Sequence, residues 1–184
     1  MLYKILTKIK YKILLQWIKP EMLPFRYKNS SIISGTCVSN MTHVSNPNNV
    51  NIGENVFIGH FSYIDGYRKV NIGKGCQISN YVSILTHSSH DSLRLDPDGR
   101  NKYGLMSGDV EIGEFCFIGS HCVIMPGSKI GKGSIISSYT FVSGEFPEYS
   151  ILRGQPAKII GSTKERDFKI LADFPDARNS YYEK

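Results

Sequence analysis

The sequence contains few cysteines and no long apolar run. Its four cysteines (Cys37, Cys76, Cys116 and Cys122) are dispersed and include no Cys-x-x-Cys pair, which argues against a disulfide-stapled secreted domain and against a cysteine zinc site. No apolar stretch reaches the roughly 18 residues that a membrane-spanning helix needs. We therefore expect a soluble protein of a reducing, cytoplasmic compartment.

A strong excess of one charge is also lacking. The 184 residues include 22 basic and 16 acidic side chains, a formal net charge of +6 without basic runs, so nucleic-acid binding is not expected. No phosphate-cradling or dinucleotide-binding glycine motif occurs in a strand-helix context. Hydrophobic residues make up 41% of the chain, which is enough to form a folded core.

What the sequence does contain is an interrupted six-residue repeat. Isoleucine precedes glycine at Ile52, Ile58, Ile72, Ile112, Ile118 and Ile130. Further aliphatic residues continue the same phase at Ile64, Ile78, Ile84, Ile124, Ile136 and Val142, with a weaker triplet at Ile32, Val38 and Val44. Four residues after most of these positions stands a compact residue: Val56, Ser62, Cys76, Val82, Cys116, Cys122, Ser128, Ser134 or Thr140.

This repeat predicts a prism of stacked coils, each with three short strands. A six-residue strand cannot bury its apolar side alone, whereas stacked coils bury a continuous aliphatic column. The alternative, an antiparallel sandwich with turns every eight to twelve residues, does not explain twelve aliphatic residues in one phase.

Two stretches carry a resemblance to a known family. Residues 115–131 (FCFIGSHCVIMPGSKIG) and 154–160 (GQPAKII) resemble the hexapeptide-repeat acyltransferases, most closely the galactoside, maltose, xenobiotic and polysaccharide O-acetyltransferases. The resemblance covers about residues 32–160. It implies an all-β, left-handed parallel β-helix, a homotrimer with its active site between neighbouring subunits, acetyl-CoA as co-substrate and no metal.

The extent of the repeat divides the chain into three segments. We predict an N-terminal helix and linker over 1–31, the β-helix domain over 32–160 and a short C-terminal helix and tail over 161–184. Residues 91–109 lack the repeat and contain Asp-Pro-Asp-Gly, a turn signal, so they form an excursion loop. With this loop removed, the coil at Ile72 stacks on the coil at Ile112, and Cys76 and Cys116 become neighbours in the core.

Two histidines precede the excursion. Transfer of an acetyl group to a hydroxyl needs a base, and histidine titrates near neutral pH. His90 is preferred because the resembled family places its catalytic histidine at the mouth of the loop, and His87 is the competitor; both could instead fill a polar corner. Asp91 should point away from the neighbouring ring, so a backbone carbonyl, Asp65 or Glu111 would orient the base.

The resemblance also implies residues that bind coenzyme A. Ser120 or a nearby backbone N–H would donate to the thioester oxygen, and Arg153 and Lys158 would meet the phosphates. Ser138 and Ser143 would lie along the pantetheine. Phe117 and Gly144 depart from the family, which usually has tryptophan and lysine there. An ordinary corner serine and a solvated basic edge are the alternatives for Ser120 and for the two cations.

Residues 1–19 have the pattern of a basic amphipathic helix. Its apolar residues are Leu2, Ile5, Leu6, Ile9, Ile13 and Trp17, and its cations include Lys4, Lys8, Lys12 and Lys19. Such a helix either caps the open end of the coil, which we favour, or docks peripherally on an anionic membrane at the inner face of the cell.

The sequence thus predicts an acetyl-CoA-dependent O-acetyltransferase of a sugar or polysaccharide hydroxyl, for example in a capsule or O-antigen. An N-acetyltransferase of an amino sugar fits the same pattern. Two other classes stay open: a metal hydratase resembling the γ-class carbonic anhydrases, with ligands among His60, His87, His90 and His121, and a non-catalytic scaffold. The sequence does not identify the acceptor.

Overall fold

The computed structural model describes residues 6, 9, 10, 19–26, 32–101 and 103–182. The predicted N-terminal helix therefore lies almost wholly outside the described residues, although Leu6, Ile9 and Lys10 are helical. Within the described ranges, no helix has the length and apolar character that a membrane crossing requires.

The strands wind into a parallel β-solenoid of about six coils. The strand β1 (Met22–Arg26) precedes the first coil, which contains β2 (Ile32–Ser39), β3 (His43–Val44) and β4 (Val50–Ile52). The second coil contains β5 (Phe57–Ile58), β6 (Tyr63–Ile64) and β7 (Val70–Ile72). The third contains β8 (Gln77–Ile78), β9 (Ser83–Ile84) and β12 (Val110–Ile112), with the excursion strands β10 (His87–Ser88) and β11 (Met106–Ser107) between the last two.

The upper coils follow without interruption. They contain β13 (Phe117–Ile118), β14 (Val123–Ile124) and β15 (Lys129–Ile130), then β16 (Ile135–Ile136), β17 (Phe141–Val142) and β18 (Glu145–Phe146). The strand β19 (Ser150–Arg153) opens the last coil and β20 (Lys158–Ser162) returns beside it. The helix α1 (Ser92–Leu95) lies in the excursion, and α2 (Thr163–Asp173) follows β20.

Three flat faces result from this winding. Face A contains β2, β5, β8, β13, β16 and β19, with β1 and β20 antiparallel at its two edges. Face B contains β3, β6, β9, β14 and β17, and face C contains β4, β7, β12, β15 and β18. Neighbouring strands within each face pair in parallel, as in Ile58 with Ile78 and Ile118 with Ile136.

The repeat predicts the core correctly. All twelve phased aliphatic residues are buried, and so are all nine compact positions. Serine and threonine are stable inside because their hydroxyls bond to nearby carbonyls: Ser134 Oγ donates to Gly131 O over 2.7 Å and Thr140 Oγ1 to Ser137 O over 2.7 Å. In the weaker triplet, Val38 is buried and Val44 is half-buried.

The excursion leaves the coil in register, as predicted. Ile72 pairs with Ile112 across it, and the amide of Gln77 donates to the carbonyl of Cys116 over 2.9 Å. Cys76 and Cys116 are free, buried neighbours. The excursion begins earlier than the sequence indicates, because His87 and Ser88 pair antiparallel with Ser107 and Met106.

Candidate active site

His87 lies where the chain leaves face B. It follows β9 and the fully buried Thr86, at the corner between faces B and C, and β11 holds its backbone through the pairing with Ser107. The His87 side chain is 38% exposed. Its ring packs against the ring of Tyr67, with centroids 4.5 Å apart. The coil wall therefore fixes this imidazole while solvent still reaches it.

A buried carboxylate lies directly beneath His87. Asp65 follows β6 in the coil below and is only 2% exposed. Its Oδ2 lies 2.5 Å from His87 Nδ1 and accepts hydrogen bonds from Thr86 N over 3.0 Å and Thr86 Oγ1 over 2.9 Å. Its Oδ1 accepts a hydrogen bond from Tyr67 N over 3.0 Å.

These hydrogen bonds decide the charge of Asp65. Burial by itself raises the pKa of the carboxyl, but the hydrogen bonds from His87, Thr86 and Tyr67 outweigh it and hold the pKa of Asp65 below its usual value. The carboxylate is ionised at neutral pH and has no proton to give. The short contact therefore places a proton on His87 Nδ1, which leaves the lone pair of a neutral imidazole on Nε2.

His90 is held differently. Its side chain is 52% exposed, Nδ1 lies 2.8 Å from Ser88 Oγ, and Nε2 lies 3.4 Å from Asp91 Oδ2. The expectation that Asp91 points away from its neighbour's ring is thus wrong. The cause is Arg94, whose guanidinium bonds both to Asp91 and to the His90 carbonyl and folds this turn onto itself.

Of the two carboxylates that the sequence offers to orient the base, only one contacts a candidate histidine. Asp65 contacts His87, whereas Glu111 lies on the outer side of face C, in register with Asn71 and Lys129. Sequence reasoning missed Thr86 and Tyr67. The twenty-residue spacing between coils could have predicted them. It pairs Ile64 on β6 with Ile84 on β9, and this pairing brings the residues that follow each strand close together.

The residues expected to bind coenzyme A fall at two places. Phe117 lies on the outer side of face A, Ser120 and Ser138 stack at the corner between faces A and B, and Arg153 pairs with Lys158 at the upper edge of face A. Ser143 lies instead at the corner between faces B and C, two coils above His87. The corner that holds Ser120 and Ser138 and the corner that holds Ser143 lie at opposite edges of face B, and the width of this face, about five extended residues, separates them by roughly 15 Å.

Within one chain, the four histidines of the metal hypothesis have separate partners and do not converge; the hypothesis needs them to meet between subunits. His60 Nδ1 lies 2.7 Å from Ser39 Oγ, and the His121 ring stacks between Tyr81 and Tyr139 with centroids 4.8 Å away on each side. His87 and His90 have the partners described above. In the part of the chain that the structure describes, no group of three His, Cys, Asp or Glu side chains is placed to hold a metal ion.

Comparison with known proteins finds a hexapeptide-repeat model on each side of the excursion. The family "Hexapeptide repeat of succinyl-transferase" matches residues 49–85, and "Bacterial transferase hexapeptide (six repeats)" matches residues 109–144. WbbJ of Escherichia coli K12, described as a candidate O-acetyl transferase of lipopolysaccharide biosynthesis, is 31% identical over 109 residues, which are 54% of each chain.

Two solved acetyltransferase structures are similar to this chain in sequence and fold. Galactoside acetyltransferase in complex with coenzyme A is 30% identical with a TM-score of 0.59, and the match covers 68% of this chain and 61% of that one. The hexapeptide-repeat acetyltransferase VCA0836 of Vibrio cholerae, complexed with acetyl coenzyme A, is 25% identical with a TM-score of 0.61, covering 71% and 69%.

The chain spans about half, or less, of the length of the curated relatives it matches. The matched segments nevertheless include the repeats on both sides of the excursion. In these repeats and in the coiled fold, the chain resembles the hexapeptide-repeat acetyltransferases.

Proposed function

We propose that the protein is an acetyl-CoA-dependent O-acetyltransferase acting on a hydroxyl of a sugar or polysaccharide. The observation that carries this proposal is the pair of histidines at the start of the excursion that interrupts the hexapeptide-repeat coil. The relatives support it, since one is a galactoside acetyltransferase bound to coenzyme A and another is assigned to lipopolysaccharide biosynthesis.

The chemistry needs a base and a stabilised oxyanion. A hydroxyl is a poor nucleophile until its proton is withdrawn, and a positioned imidazole contributes about 10² to 10⁴ in rate. Ser120, at the corner between faces A and B, would donate to the thioester oxygen, and Arg153 and Lys158 would bind the phosphates of coenzyme A. Ser138 and Ser143 would line the pantetheine.

A site of this kind requires a second copy of the chain. The histidines and the face A residues lie on opposite sides of face B, so one chain cannot bring them together. Faces A and B present apolar side chains outward, including Phe57, Phe117, Tyr63 and Phe141, whereas face C presents Asn51, Asn71, Glu111, Lys129 and Glu145. We propose a homotrimer whose clefts join one copy's histidine corner to its neighbour's face A corner.

Release of free coenzyme A tests the activity. With acetyl-CoA and a panel of sugars, nucleotide sugars and oligosaccharides, the unaltered protein should release thiol and form an acetyl ester. A protein with both His87→Ala and His90→Ala should not exceed the background rate. Equal release by the two proteins would instead support the scaffold hypothesis, and an acetyl amide as product would support N-acetylation.

Mass measurement tests the assembly. Light scattering should give three 20.7-kDa chains. Phe57→Asp, on the outer side of face A, should yield a monomer without activity, whereas Glu145→Gln on face C should leave the trimer and the activity intact. A fully active monomer would contradict the shared cleft.

The sequence pattern of residues 1–19 favours a cap, but the exposure of two residues of its apolar stripe favours the alternative, and we propose that this segment docks on an anionic membrane. Leu6 and Ile9, from the apolar stripe, are 57% and 50% exposed rather than packed on the coil, and lysines accompany the stripe. Sedimentation with vesicles should show binding to phosphatidylglycerol-containing membranes that falls with salt and with Leu6→Glu. No binding to such vesicles would favour the cap.

A further inference from the structure

Face C carries a long, open groove that the histidine corner does not use. The groove has a volume of about 950 Å³ and crosses all five strands of the face. At the usual spacing between strands, five strands span roughly 19 Å. A single sugar ring would occupy only a small part of such a groove, so its length fits a chain of linked units.

The floor of this groove is bare backbone. The outward position after each strand of face C is held by Gly53, Gly73, Gly113, Gly131 or Pro147. A Cβ at any of the four glycines would meet the backbone of the next coil, so the stacking of the coils keeps this row free of side chains. The floor is therefore flat and rigid before any ligand arrives, which lowers the entropic cost of binding.

One wall of the groove offers unused hydrogen-bonding groups. Asn51, Asn71 and Glu111 lie in register along the three lower coils. Asn51 Nδ2 donates to Asn71 Oδ1 over 2.8 Å, which leaves Asn51 Oδ1 as an acceptor and Asn71 Nδ2 as a donor. The Glu111 carboxylate accepts no hydrogen bond from the residues that the structure describes. Higher on the same wall, Lys129 and Glu145 pair with each other.

The chemistry of the groove selects among classes of ligand. Glu111, Glu145 and Glu148 line it and would repel the phosphates of a nucleic acid. Among the described residues, face C has none of the exposed aromatic side chains that faces A and B present and that anchor protein partners. Amide and carboxylate groups beside a flat floor suit hydroxyl groups on flat rings. An uncharged, polyhydroxylated chain meets all of these conditions.

The groove lies close to the histidine corner, because both use β12. Gly108, where the excursion returns to the coil, donates to the carbonyl of Thr86 over 3.0 Å, directly beside His87. Glu111 follows Gly108 by three residues, roughly 10 Å of extended chain. Sugar units linked to one that is held in the groove are therefore within reach of the corner. The proposed trimer uses faces A and B, so the groove on face C stays open.

We propose that the groove on face C binds an extended, uncharged glycan, and that the acceptor is such a polymer rather than a free monosaccharide. The identity of the acceptor rests on the proposed acetyltransferase function, whereas binding itself needs neither acetyl-CoA nor the histidines. The groove raises the local concentration of acceptor hydroxyls at the histidine corner. It therefore lowers the KM for the polymer and leaves the chemical step unchanged.

A glycan array tests the binding. Capsule and O-antigen polysaccharides are printed beside their monosaccharides, and the full chain is applied without acetyl-CoA. The protein should bind uncharged polymers and not their monosaccharides. Asn71→Ala combined with Glu111→Ala should weaken this binding roughly 10-fold. Asn179→Ala, which removes an exposed amide from the C-terminal tail, is the matched control and should bind as the unaltered protein does.

Three results would overturn the proposal: no polymer bound, binding to acidic polysaccharides alone, or binding that Asn71→Ala with Glu111→Ala leaves unchanged. A measurement on the unaltered protein keeps the test independent of how the variants fold. Addition of a bound polymer should shift the side-chain amide signals of Asn51 and Asn71 in nitrogen-15 spectra. Unshifted signals in the presence of bound polymer would place the glycan elsewhere.

Kinetics separate the groove from the reaction. With a polymeric acceptor, Asn71→Ala combined with Glu111→Ala should raise KM roughly 10-fold at unchanged kcat, and with a monosaccharide acceptor it should change neither. The protein with His87→Ala and His90→Ala should lose the reaction and still bind the polymer. If no acceptor releases coenzyme A, the proposed function fails, while the array still decides whether the groove binds a glycan.

Discussion

The two histidines at the start of the excursion are held by different means, one by the coil wall and the other by its own turn. His87 is fixed by a carboxylate 22 positions earlier in the chain, whereas the partners of His90 all lie within four residues of it. The wall can do this because parallel strands stack one coil on the next, so residues distant in sequence meet at a fixed step. The side chain of His90 has its hydrogen-bond and ion-pair partners within its own turn, and it stays exposed.

The largest contrast should appear when apolar side chains are truncated. Ile118→Ala, in the fully buried column of face A, should lower the free energy of unfolding by about 2 to 5 kcal/mol because it leaves a cavity. Leu93→Ala, in the exposed part of the excursion, should change it by less than about 0.5 kcal/mol. Urea unfolding measures both, and similar costs would break the comparison.

Glycine substitution should give a smaller contrast. In Gly113→Ala the new Cβ would meet the backbone of Lys132, with its N at 2.4 Å and Cα at 2.7 Å, so we expect a loss of about 1 to 3 kcal/mol as neighbouring coils are forced apart. Gly99→Ala in the excursion meets nothing within 4 Å. There only the positive φ of 65° costs about 1 kcal/mol. Thermal unfolding of the two variants should rank them in this order.

Acidic pH should lower the free energy of unfolding through protonation of Asp65. Because folding lowers the pKa of this carboxyl, its contribution to stability is present above the ordinary aspartate value of about 3.9 and is lost as pH falls through the folded value. Stability should therefore rise with pH across that acidic window. Unfolding of Asp65→Asn followed over the same range should lack this part of the slope, and an unchanged slope would contradict the assignment.

The smallest effect should come from charge pairs on the outside of the wall. Lys129 Nζ lies 2.8 Å from Glu145 Oε1 on face C, and both side chains are at least half exposed. Lys129→Met should leave the urea midpoint almost unchanged, and the change should be smaller still in high salt, because water and ions screen an exposed pair. A larger loss, measured by urea unfolding, would mean that face C is covered in the assembled protein.

The sequence predicts the coil better than the site because the two depend on different spacings. Ile58, Ile78 and Ile118 are found by counting in sixes, and the in-register return at Ile112 follows from the same count. The preference for His90 over His87 rests on position relative to the loop. The contact between Asp65 and His87 depends on how two corners face each other, which a count along one strand does not contain.

By itself, the amino-acid sequence determined the stacked prism, the buried columns and the coil that the excursion interrupts, because each coil contacts only its neighbours and the same local rule repeats along one axis. The tertiary structure decided which histidine has a buried carboxylate beneath it and which turn folds onto itself. Those contacts join residues of different coils, and their geometry exists only once the coils are stacked.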